Sequence, residues 1–164
     1  MNYLPESDGC WVCGQENPVG FHIRLRLDGE AVTAEFAPQT IHSGYTGVVH
    51  GGVLAALLDE AMSWAACVKA RRFCLAAELK VRFLKPTPPG EALVVKAAAS
   101  EPCRGLISAS AEVVGRDGIT YARADGRFAP MRLEDSLRVV AHLRFSEDTV
   151  PLEELLDGTE GLQR

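Results

Sequence analysis

The chain has 164 residues, a length that suits one domain and would cramp two. A hydrophobic fraction of 47% is enough for a real core, and a net charge of −5 with 17 basic residues argues against a nucleic-acid surface as its main business. The opening MNYLPESDGC has neither a basic n-region nor an apolar h-region, so no signal peptide is read, and a cytoplasmic setting with reduced cysteines is expected.

Residues 1–18 read as a loop-like lead-in containing Cys10-Trp11-Val12-Cys13-Gly14. That spacing suits zinc, but a structural zinc site normally takes four ligands. There is no second Cys-x-x-Cys, and His22 is the nearest other candidate. The favoured reading is a small turn with two packed thiols and no metal. Next, Phe21, Ile23, Leu25 and Leu27 alternate with His22, Arg24 and Arg26, which predicts a half-buried strand. Asp28-Gly29 marks a hairpin turn, and Ala31 to Phe36 returns as a second strand.

After a loop over residues 38–46 comes the most informative stretch, Gly44 to Lys69. It opens with Gly44, Gly47 and His50-Gly51-Gly52, and then runs apolar with only Asp59, Glu60 and Ser63 interrupting between Val53 and Val68. Its length and its Ala, Leu and Met content predict a helix. Apolar residues occupy nearly the whole circumference, so the helix should be buried on most sides. The two carboxylates make it a poor membrane span. They also pose a question, because burying a charge is costly unless it is paired or used.

Beyond Arg71-Arg72, four further strands are predicted: Phe73 to Lys85, Ala92 to Ala99, Leu106 to Val114 and Ile119 to Phe128. Pro86 to Gly90 stops the first, and Asp117-Gly118 joins the last two as a hairpin. Residues 131–164 read as a C-terminal extension with helices over Arg132 to Leu143 and Pro151 to Asp157, serving as a lid, a docking segment or a loose end. The main domain is thus 19–130. Two strands, one long helix and four hairpin-linked strands imply an α+β fold with a mainly antiparallel sheet. Such a sheet covers one apolar helix best by curling around it.

That element order, with Gly47-Val48-Val49-His50-Gly51-Gly52, then Leu58-Asp59-Glu60-Ala61, then Leu79-Lys80-Val81-Arg82-Phe83-Leu84-Lys85-Pro86, resembles the hotdog-fold acyl-CoA thioesterases, especially the phenylacetate-pathway type and related thioesterase superfamily members. The opening from Cys10 to Gly20 is similar to the lead-in of some members, so the resemblance covers residues 10 to 130. It implies a curved antiparallel sheet around the central helix, and a homodimer or dimer of dimers with active sites at the subunit interface. It also implies an acyl-CoA substrate, no cofactor, and no nucleic-acid or membrane partner. The carboxylate nine positions after the motif histidine, here Asp59, would be base or nucleophile. The Gly52 N–H would face the thioester carbonyl, with Gly52 of one subunit opposite Asp59 of the other. Two departures stand out. Gly44 replaces an asparagine six residues before the histidine, and Ala76 replaces a Ser or Thr ten residues before the strand-ending proline. Both missing groups help to hold or activate water in relatives.

The residues themselves support a division of labour. Adjacent helical positions are turned by about 100°, so Asp59 and Glu60 cannot serve one point. Asp59 shares a face with Ala55, Ala56, Met62, Ser63 and Ala66, a small-residue stripe with room for a ligand. Glu60 points toward Leu57, Trp64 and Cys67 and reads as an ion pair or as an anchor for the 44–49 loop. A structural ion pair of Asp59 with Arg82 or Lys80 is the competing reading. Free N–H groups at Gly51 and Gly52, backed by the helix dipole, favour the charge that develops on a thioester oxygen. His50, at the mouth of the helix, reads as an orienting group that binds substrate. Arg82 and Lys85, together with Lys69, Arg71, Arg72 and Lys80, are candidate contacts for coenzyme A phosphates. Ser63, His142 and the free cysteines read as structural. Two other functions compete with hydrolysis: a non-catalytic acyl-CoA binder, and an acyl-thioester hydratase or dehydratase, which would need a catalytic histidine beside the acid.

Overall fold

The pattern of turns and alternation builds one sheet around one helix. The computed structural model describes residues 2–159. In chain order its elements are β1 (Glu6–Ser7), β2 (Arg26–Asp28), β3 (Ala31–Phe36), β4 (Ser43–Tyr45), β5 (Val48–Val49), α1 (Gly51–Ala70), β6 (Cys74–Phe83), β7 (Leu93–Ala99), β8 (Ile107–Gly115), β9 (Thr120–Pro130), α2 (Leu133–Val140), β10 (Leu143–Arg144) and α3 (Leu152–Leu155). Six strands form an antiparallel sheet in the order β2-β3-β7-β8-β9-β6. The two hairpin signals hold: Gly29 and Gly118 both have positive φ, and the Asp117 carboxylate accepts the Ile119 N–H at 2.9 Å.

Helix α1 packs against β3, β6, β7, β8 and β9, as a wrapped helix must. Leu57, Leu58, Ala61, Met62 and Ala66 are fully enclosed. The facing strands alternate as expected. Ile107 and Val113 of β8, and Ala122, Ala124 and Phe128 of β9, turn inward, while Arg123, Asp125 and Arg127 turn out. This is the hotdog arrangement of the α+β class. Although α1 is long and apolar enough to cross a membrane by length and composition, more than half of it is buried inside the protein. One stripe of it stays partly open: Gly52, Ala55, Ala56, Asp59 and Ser63 are all half-buried or exposed. Met62 and Ala66, grouped with that stripe in the sequence, lie instead in the core.

The predicted strand over Phe21 to Leu27 is mostly not one. Only Arg26–Asp28 joins the sheet. His22 takes a left-handed backbone, with φ of 55°, which breaks a ladder. The segment pairs instead with the lead-in: Phe21 and Ile23 donate to the Trp11 and Val12 carbonyls, and Leu4 donates to Leu25. The alternation is still honoured, because Phe21, Ile23 and Leu25 are buried. The lead-in is therefore no loose loop, and the C-terminal extension is docked, since β1 pairs with β10 and Leu152, Leu155 and Leu156 are buried. Residues 160–164 of that extension lie outside the described residues.

Arg24 fastens these two ends together. Its guanidinium meets Glu6 at 3.1 Å and Asp148 at 2.9 Å, donates to Ser146 at 3.0 Å, and lies 3.9 Å above the Tyr3 ring. Hydrogen bonding from Arg24 and then Ser146 holds the Asp148 carboxyl down at about 2. A carboxyl depressed on folding contributes stability above its unfolded pKa of about 3.9, and that contribution is lost as pH falls through the folded value. Arg24→Ala should lower the melting temperature at pH 7, and much less at pH 2, where the Asp148 carboxyl is largely protonated on unfolding and half-protonated when folded. Melts of both proteins at both pH values check this.

Candidate functional site

The start of α1 is shaped by contacts that only small residues permit. The β4–β5 hairpin delivers the chain to His50, held by the His50 N–H donating to the His42 carbonyl and the Val49 N–H to the Thr87 carbonyl, each at 2.8 Å. His50 is the N-cap, and its Nδ1 accepts the Gly52 N–H at 2.9 Å. A Cβ at Gly51 would lie 3.0 Å from the Phe83 ring, and one at Gly44 would lie 3.0 Å from Cδ2 of His50 and 3.2 Å from its Cα. So Phe83 covers the first turn, and the His50 ring sits where a side chain at position 44 would begin.

The expectation that both glycine N–H groups are free is half met. The Gly51 N–H, at the first helical position, has no hydrogen-bond acceptor among the described residues, while the Gly52 N–H is taken by His50. An Nδ1 that accepts leaves the ring proton of neutral imidazole on Nε2. The exposed edge of His50 is then a donor, beside Gly51.

Asp59 lies seven residues further along, about 10 Å at 1.5 Å per residue. Its Oδ1 is buried without a hydrogen-bond partner, and no ion pair joins it to Arg82 or Lys80 among the described residues. Burial, and then the negative charge of Cys10, raise its pKa above the ordinary carboxylate range. A buried, unpaired carboxylate oxygen on the open stripe of α1 is a group available for chemistry.

Glu60 goes elsewhere, and not to the partners foreseen for it. Its two oxygens lie 3.8 and 3.7 Å from Cys10 Sγ, across fifty residues of sequence. Burial, then the Cys10 charge, push Glu60 up to about 7. The Cys13 thiol and the backbone N–H groups of Cys13 and Val12 hold Cys10 down at about 5, while the same contact with Cys10, and then burial, push Cys13 up.

The basic residues separate. Arg82 faces the side of the sheet away from α1, in a groove with Lys96, Ser110, Glu112 and Arg123. It does not join Asp59 of its own chain. Lys80 lies on the same outer face. Lys69 is occupied by Glu101 at 2.6 Å and Arg71 by Asp157 at 2.5 Å, at the far end of the helix from His50. Lys85 lies two residues before Thr87, whose carbonyl accepts the Val49 N–H just ahead of the helix start. The sequence reading missed two neighbours. Phe83 was legible in principle, from the alternation of Leu79, Val81 and Phe83 with Lys80, Arg82 and Leu84; Cys10 beside Glu60 was not, because no local pattern links them.

The comparisons agree with this fold. The model of the thioesterase superfamily matches residues 46–122, which include the His50-Gly51-Gly52 turn and Asp59. A crystal structure described as a thioesterase superfamily protein is 26% identical, with a TM-score of 0.69 over 74% of this chain. The chain spans 60% of the length of that protein. The PaaI protein of E. coli, from the phenylacetic acid degradation operon, is 20% identical with a TM-score of 0.62, covering 68% of this chain and 81% of its own. A hypothetical thioesterase protein of Streptococcus pneumoniae, crystallised with coenzyme A, is 17% identical with a TM-score of 0.57, covering 62% and 78%. The last two bear on the fold alone. No curated protein matches the chain.

Proposed function

We propose that this chain, a hotdog-fold protein related to the thioesterase superfamily over residues 46–122, hydrolyses an acyl-CoA thioester to a free acid and CoA. The observation that carries the reading is the unpartnered Asp59 Oδ1 on the open stripe of α1. The Asp59 carboxylate takes a proton from water as the water oxygen attacks the thioester carbonyl, or attacks the carbonyl itself to form an anhydride that water then opens. The oxyanion sits at the start of α1, where the Gly51 N–H and the His50 Nε2–H face it and the helix dipole favours it. The C–S bond then breaks: on the base route the CoA sulfur leaves with the proton that Asp59 took from water, and on the nucleophile route it leaves as a thiolate that takes its proton from solvent. Gly52 enters as an oxyanion donor when the His50 ring gives up its N–H, so His50 and Gly52 act as one unit.

Because Gly52 and Asp59 of one chain stand about 10 Å apart, the reading pairs Gly52 of one subunit with Asp59 of another. Strand β6 supplies a surface for that pairing. It is a ten-residue edge strand, exposed along most of its length, with Leu75, Leu79 and Phe83 open to solvent. Open apolar edges are normally covered. A homodimer or dimer of dimers follows, with Lys85 as a phosphate contact near the helix start and Arg82 left to the outer face. Leu79→Lys should shift the protein to monomer at micromolar concentration and reduce turnover more than tenfold. Light scattering with a parallel activity assay checks both, and a fully active monomer would rule out the composite site.

A second reading is acyl-CoA binding without hydrolysis, favoured by Gly44 and Ala76 standing where relatives hold or activate water. Thiol release measured on a panel of short, medium, long and aromatic acyl-CoAs separates the two. Release supports the enzyme, and binding without release supports the binder.

A further inference from the structure

The contact between the lead-in and α1 makes a cluster that the thioesterase chemistry does not use. Cys10, Cys13 and Glu60 each present one donor atom, all within 4.8 Å of one another. His22, the partner suggested by sequence, is elsewhere, with its Nε2 2.5 Å from the Asn17 carbonyl. The turn that carries the two thiols is tightly built. The Val12 and Cys13 N–H groups point at Cys10 Sγ, at 3.3 and 3.5 Å, the kind of bond that supports a ligating thiolate. The Gly14 N–H closes on the Cys10 carbonyl at 3.1 Å, and a Cβ at Gly14 would lie 2.6 to 2.7 Å from the carbonyl oxygens of Cys10, Asp8 and Ser7. Only glycine fits there. Glu60 itself forms no ion pair with Lys, Arg or His among the described residues. Three metal-ligating donors thus converge, Cys13 buried and the other two half-buried, with no basic side chain paired to Glu60 among the described residues.

We infer that Cys10, Cys13 and Glu60 bind a thiophilic divalent cation, Zn2+ by class, which staples the lead-in to the central helix. Two sulfurs select zinc over magnesium or calcium, and a carboxylate oxygen completes a three-ligand set with the fourth, tetrahedral position left to water. Both sulfurs bind as thiolates, so binding releases the proton of any thiol still protonated and oxidises nothing. The metal would hold Glu60 away from the open stripe and leave Asp59 as the free carboxylate of the pair. The inference is independent of the hydrolytic reading.

The test uses the full chain, reduced and stripped with a chelator, then titrated with Co2+ as a spectroscopic probe and with Zn2+ as competitor. The expected result is one equivalent of Co2+ bound, with thiolate-to-cobalt charge-transfer bands and tetrahedral d–d bands that Zn2+ abolishes. Cys10→Ser should remove the charge-transfer bands, and Glu60→Gln should keep them while weakening binding at least tenfold. Glu60→Gln is nearly isosteric and keeps both thiols, so it reports even if the cysteine variant folds poorly. The wild-type melting temperature should rise with added Zn2+. Absence of charge-transfer bands, bands unchanged in Cys10→Ser, or a Cys10–Cys13 disulfide that forms in place of metal uptake would each overturn the inference.

Discussion

Asp59→Asn should lower kcat for thioester hydrolysis about 100-fold or more, the scale of losing a general base. The amide keeps the size and hydrogen-bonding capacity of the carboxylate but can neither take a proton from water nor attack the carbonyl. KM should change little, since the carboxylate acts mainly in the transition state. Folding should survive, because the Asp59 Oδ1 has no hydrogen-bond partner to lose and the charge it gives up is costly to bury. The paired control is Glu60→Gln. Glu60 faces Cys10 rather than the open stripe, so its loss should cost far less turnover. Thiol release by both variants, with melts to confirm folding, makes the comparison. A well-folded Asp59→Asn that turns over at the wild-type rate removes Asp59 from the chemistry and moves attention to His50.

Phe128→Ala should destabilise the protein by about 4 kcal/mol. Phe128 is fully buried on β9, paired in register with Ala76 of β6 and with the equally buried Ile107 of β8. Its ring lies back over Gly126, where a Cβ would come within 2.7 Å of Phe128 Cε2. The glycine makes the seat for the ring, so truncation leaves a cavity bounded by backbone, which cannot collapse to fill it. A loss of that size is a large share of the 5–15 kcal/mol typical of a whole domain. Denaturant unfolding should show a lower midpoint with the slope unchanged. A change below about 1 kcal/mol would mean that the ring is not a core element.

The elements most legible in the sequence were those fixed by local chemistry. The run from Gly51 to Ala70 could only be a helix, and its all-round apolar surface required a wrapping sheet. Asp28-Gly29 and Asp117-Gly118 marked their hairpins because the glycines take positive φ there. Contacts distant in sequence were not legible. Phe21 to Leu25 alternates like a strand, yet its backbone pairs with the lead-in, and nothing local to His22 announces its left-handed φ. Arg82 and Asp59 both look like site residues on a linear reading, but the pleat of β6 turns Arg82 to the outer face. His50 was read as an orienting group beside a free Gly52 N–H. Its Nδ1 instead accepts that N–H. Glu60 depended on a thiol fifty residues away.

The central claim is that the open stripe of α1 is a hydrolytic site, and the most direct measurement is the rate of CoA thiol release from an acyl-CoA panel by the wild-type protein. The account predicts release of one thiol per acid formed from at least one acyl-CoA, at a rate proportional to protein concentration and suppressed in Asp59→Asn. Saturable binding of acyl-CoA with no thiol released from any member of the panel would contradict it.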